Sequence, residues 1–170
     1  APTAAQARFN PAGRPLQCMS MAELGERWRE VLDDTEATAA EYRDRGWEAL
    51  AVHPGDVNPV PGVARLHVLL PGSEFDAVNE LLDGADIESV GVYAAAGDSV
   101  RYRLLVAENA DREIAVCVPT YVFESAVEEL DAAARDAGGL GIRLRPLDDR
   151  DHVEFTVADP SLFFDPPAPE

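Results

Sequence analysis

No lysine occurs anywhere in this chain: its 14 basic residues are all Arg, they stand against 32 Asp and Glu, and the net charge is −18. In dilute buffer a charge of that size works against any compact fold through self-repulsion. At about 1 M salt the Debye length falls to roughly 3 Å, and most of the repulsion is screened. A Lys-free, strongly acidic chain is therefore expected in a salt-rich cytosol, where carboxylates also hold water at the surface. The competing source is an acidic protein from a GC-rich genome, whose codons favour Arg. Phosphate binding needs a basic patch, so neither nucleic acid nor an anionic membrane is an expected partner. No run of 18 apolar residues offers a membrane span.

Against that charge, 46% of the 170 residues are hydrophobic, which is enough for one domain with a real core. Residues 1–18 stand apart, with Arg8 and Arg14 but no acidic residue. They are expected to be a flexible or artefactual segment, with Met19 or Met21 as the natural start and no signal peptide. A single domain over 19–165 and a fraying tail over 166–170 complete the division. Two cysteines, Cys18 and Cys117, do not make a disulfide framework, and a reduced cytosol is the simpler reading.

Ser20 with Glu23 forms an expected capping box. Met21, Leu24, Trp28, Val31, Thr35, Thr38 and Tyr42 then recur at helical spacing, which predicts a long N-terminal helix closed by Gly46. A short strand over 48–53 leads into the turn His53-Pro54-Gly55-Asp56. Three prolines make 54–64 read as a loop. A buried strand over 66–70, a helix capped by Ser73 and stopped at Gly84, and three strands over 87–95, 99–108 and 112–118 follow. In the middle one, Val100, Tyr102, Leu104 and Val106 face one way and Arg101 and Arg103 the other. A helix over 121–137 is expected to bury Phe123, Val127, Leu130 and Ala134. Strands over 140–146 and 152–157 and a last turn at Asp159-Pro160 end the chain. The fold class is α+β: one antiparallel sheet of about five to seven strands with helices packed on one face.

The segment Trp47-Glu48-Ala49-Leu50-Ala51-Val52-His53-Pro54-Gly55-Asp56-Val57 and the ending Asp159-Pro160-Ser161-Leu162-Phe163-Phe164 resemble an uncharacterised haloarchaeal family. The resemblance covers most of 20–165. It implies a lineage and a cytosolic compartment and brings no catalytic residues. The element order α-β-β-β-α-β-β-α is also similar to type III secretion chaperones, which implies a dimer that binds other polypeptides; fold alone does not fix function.

Candidate chemistry is sparse. His53 and Asp56 flank the Pro-Gly turn, and a His beside a carboxylate can serve as general base, although no nucleophile is visibly paired with them. The alternative is that Asp56 stabilises the turn and His53 ends a strand. Arg101, Arg103, Arg143 and Arg145 recur at period two on two strands. If those strands are neighbours, they form a positive stripe for an anionic ligand or an acidic partner. Otherwise they form cross-strand ion pairs with Glu88, Glu108, Glu113 or Glu154. His53, His67 and His152 show no ligand spacing, so neither metal nor cofactor is expected. Cys117 among Ala115, Val116 and Val118 reads as packing. Two functions follow. One is a non-catalytic interaction module whose partner is another protein or a second copy. The other is a small enzyme or ligand-binding protein working through the His53–Asp56 loop. A pocket at that loop points to the second, and a flat apolar patch to the first.

Overall fold

In the computed structural model, which describes residues 21–95 and 100–165, the first apolar stripe folds as helix α1, Met21–Asp44. The expected capping box at Ser20, the 1–18 segment, the turn at Gly97-Asp98 and the 166–170 tail lie outside the described residues. Val31, Thr35 and Tyr42 are buried as their spacing predicts, but the helix is most buried at Ala39, outside the stripe. The Thr35 hydroxyl donates to the Val31 carbonyl at 2.7 Å, which leaves its methyl group to pack. The small pair Thr35 and Ala39 lets α1 lie close on the equally small Ala49, Ala115 and Cys117. Gly46 takes the left-handed conformation (φ +91°), and Trp47 folds back on Tyr42 with ring centroids 5.2 Å apart.

After α1 come β1 (Glu48–Ala51), β2 (Asp56–Val60), a 3₁₀ turn (Pro61–Val63), β3 (Arg65–Leu69) and α2 (Gly72–Leu82). Next are β4 (Ser89–Ala95), β5 (Val100–Asn109), β6 (Ile114–Phe123) and α3 (Glu124–Ala137). The chain closes with β7 (Leu140–Arg145), β8 (Val153–Val157) and α4 (Pro160–Phe164). The class is α+β, and the order from α2 onward is the expected one.

The single antiparallel sheet is not what forms. Two four-stranded mixed sheets take its place, ordered β1-β6-β5-β4 and β2-β3-β7-β8. Hairpins supply the antiparallel pairs, but β1 lies parallel to β6 and β3 parallel to β7. Alternation in sequence says which face a strand buries, not which distant strand it pairs with. Helices are not confined to one face of the first sheet. One face lies under α1, where Leu104 and Val106 pack. Leu105, Val116 and Val118 on the other join Leu66, Val68, Ile142 and Leu144 of the second sheet in the main core. Phe75 of α2 and Leu130 of α3 complete that core.

Three local departures have one cause each. The 54–64 segment contains strand β2 despite Pro59, because β2 is an edge strand and needs hydrogen bonds on one side only. Strand β6 continues through Pro119 to Phe123 for a similar reason: β1 pairs only as far as Cys117, so Pro119 has an open side for its missing N–H. Phe123 therefore ends a strand and is 48% exposed, where the sequence pattern had placed it inside a helix. Helix α2 begins after Pro71 with no side-chain cap, so Ser73 does not serve as one.

Candidate functional site

Strand pairing sets Tyr102 opposite Tyr121 and Val100 opposite Phe123, on the face that carries Leu104 and Cys117 further along. Midway along α1 the contact with this face is made by small residues. Near the N-terminal end of the helix, bulky rings replace them and the contact opens into a cleft of about 290 Å³. Trp28 and Gly25 of α1 form one wall, the four strand residues the floor, and Pro54 and Gly55 the far side. Trp28 stacks over Tyr102 at 6.5 Å and meets Tyr121 edge-on at 5.2 Å; Phe123 stands edge-on to Tyr121 at 5.9 Å. A Cβ added at Gly25 would meet nothing within 4 Å among the described residues. Tyr102 is 2% exposed, and its hydroxyl has no hydrogen-bond partner among the described residues. Burial pushes the Tyr102 phenol up and is also the main cause that raises Tyr121.

His53 and Asp56 hold the loop that closes this cleft, and they do not touch one another in a catalytic pair. The His53 N–H donates to Glu74 at 2.6 Å, and its ring Nδ1 meets the other Glu74 oxygen at 2.6 Å. Nε2 lies 3.1 Å from Glu36 on α1. The imidazole thus bridges α1 and α2, with both nitrogens facing carboxylates. An imidazole so engaged has no free nitrogen to act as a base. Asp56 accepts from the Tyr121 hydroxyl at 3.2 Å, which places a carboxylate at the edge of the aromatic floor.

The four arginines separate into two sheets, since β5 and β7 are not neighbours. Arg101 makes a bidentate contact with Glu124 at 2.8 and 3.0 Å and donates to the Phe164 carbonyl at 2.6 Å. Arg103 is buried and donates to the carbonyls of Phe163 and Tyr102 at 2.7 and 2.9 Å. Burial lowers its pKa, and Arg101 alongside adds to the effect. These two arginines fasten α4 to β5. Arg143 and Arg145 lie on the outer face of the second sheet, paired with Glu154 and Asp149. Arg65 and His67 share that face, with His67 in register opposite Arg143. Burial lowers the His67 pKa, and Arg143 is the next cause.

Cys117 is buried, and desolvation pushes its thiol up to about 12, far from a nucleophile's range. Among the described residues no helix is long and apolar enough to cross a membrane. The sequence pointed to the loop but missed the rings opposite it. Trp28 was read as core and Phe123 as helical. Their signal was the run Thr120-Tyr121-Val122-Phe123, whose β-branched and aromatic residues continue a strand past Pro119.

No curated protein and no solved structure is significantly similar to this chain. A family model does match it, over residues 18–165, and the chain accordingly belongs to DUF7529, a family of unknown function.

Proposed function

We propose that this domain is a non-catalytic binding module that takes a small ligand into the aromatic cleft, in the cytosol of a salt-rich cell. The observation that carries the reading is the convergence of four aromatic rings on one cleft, at the loop held by His53 and Asp56. Ligand sites are concave, mostly apolar and lined by a few placed polar groups. Here those groups are the Tyr121 hydroxyl and the Asp56 carboxylate that accepts from it.

A polypeptide partner calls for a broad apolar face. The exposed Val63, Tyr93, Leu147 and Leu162 sit on different segments, whereas Phe123 belongs to the cleft. The non-catalytic part rests on the double engagement of His53 and the inert Cys117 thiol. The salt-rich compartment rests on the charge of −18 with no Lys.

A fragment screen by saturation-transfer NMR tests the reading. Small fragments should compete with one another for one site, and their signals should fade in a Phe123→Ala variant. Hits that persist undiminished in that variant, or the absence of any hit, sink it.

A further inference from the structure

The cleft has a distinctive electrostatic character. Its rings present differently inclined planes: Trp28 and Tyr102 are 29° apart, Tyr121 is 85° from Trp28, and Phe123 is 76° from Tyr121. Aromatic faces carry the negative part of the ring quadrupole, so a cleft lined by four rings can take a positive guest on any face open to it. Among the described residues no charged side chain lines the cleft. A site meant for an anion would be expected to draw on guanidinium groups, and the described arginines line none of it. Asp56 places a negative charge at the rim, where it accepts from the Tyr121 hydroxyl, and the Arg27 charge that acts on Tyr102 is opposed by Glu30. A sugar also stacks on aromatic rings, but it needs a ring of hydrogen-bonding side chains, and among the described residues these walls offer only the Tyr121 hydroxyl.

We propose that the cleft binds the alkylated ammonium head of a small organic cation. This rests on the reading of the cleft as the binding site and names its ligand class. A quaternary or methylated ammonium sheds little hydration and fills a dry aromatic space, whereas a bare ammonium or a metal ion keeps its water. The cleft, at about 290 Å³, holds such a head with a short arm. Gly25 contributes by keeping that space free of a side chain.

The test uses the full chain and three probes in calorimetric titration: tetramethylammonium, choline, and 3,3-dimethylbutan-1-ol, the uncharged isostere of choline. Choline is expected to bind about tenfold more tightly than the alcohol, the size of a desolvated cation–π contribution. Phe123→Leu keeps apolar volume at an exposed position and removes one ring. It should weaken choline several-fold and leave the alcohol unchanged. Equal binding of choline and the alcohol overturns the cation assignment while leaving the cleft as a binding site. Binding of none of the three overturns both.

Discussion

At residue scale, His53 illustrates how position and strength differ. Its ring is 44% exposed and bridges Glu36 and Glu74, so its two carboxylate contacts are screened by solvent. His53→Ala should cost only about 1 kcal/mol of stability in urea unfolding. The same change frees Pro54 and Gly55 and should weaken ligand binding more than it weakens the fold. A loss above about 3 kcal/mol would instead make His53 part of the core. Cys117 and Tyr42 give a pH prediction. Burial raises both, from 9.0 and 10.0 to about 12 each, and Glu108 adds to the Tyr42 shift. The unfolded chain ionises at the ordinary values. The stability tied to keeping these groups neutral is therefore complete below about pH 9 and is lost as pH rises toward 12. Unfolding free energy should decline over that range; a flat profile contradicts the burial. In a Cys18→Ser background, iodoacetamide should modify Cys117 only under unfolding conditions. The Pro-Gly turn made the loop legible in sequence. The role of its histidine was not, because both partners lie on other elements, 17 and 21 residues away.

At the scale of elements, Arg103 is the clearest case. It projects from the core side of β5, where alternation predicted a solvent-facing arginine, and the fold uses it to hold the carbonyl end of α4. Arg103→Met keeps most of the apolar stem and removes both carbonyl contacts, at an expected cost of about 2 kcal/mol. Limited proteolysis should then clip the chain near Phe163 and Phe164 first; unchanged resistance there would show that the two phenylalanines dock unaided. Gly25 makes the opposite prediction. Glycine inside a helix is about 0.5–1 kcal/mol worse than alanine, and space is free at this position. Gly25→Ala should raise the melting temperature, and a fall would reveal a constraint that the geometry does not show. The elements themselves were largely legible, since helical and alternating periods are local. The two-sheet arrangement was not, because the parallel pairings of β1 with β6 and β3 with β7 join segments 60 residues or more apart. Prolines added to the difficulty: Pro59 and Pro119 sit in strands only because each has an unpaired side, which is a property of the sheet.

For the whole molecule, the charge of −18 sets the conditions under which everything else holds. Melting temperature should rise with KCl from dilute buffer to molar salt as repulsion is screened; no change across that range would contradict the salt-rich setting. The cleft is an aromatic concavity in a chain rich in carboxylates. The central claim is that this concavity is the binding site, and the chain carries its own probe and control. Of its two tryptophans, Trp28 lines the cleft while Trp47 packs on Tyr42 beyond the far end of α1. Titration with choline, followed by the two indole N–H resonances in an ¹H–¹⁵N spectrum, separates them. The account predicts that the Trp28 resonance shifts and saturates while that of Trp47 stays in place. Movement of Trp47 alone, or of neither, would contradict it.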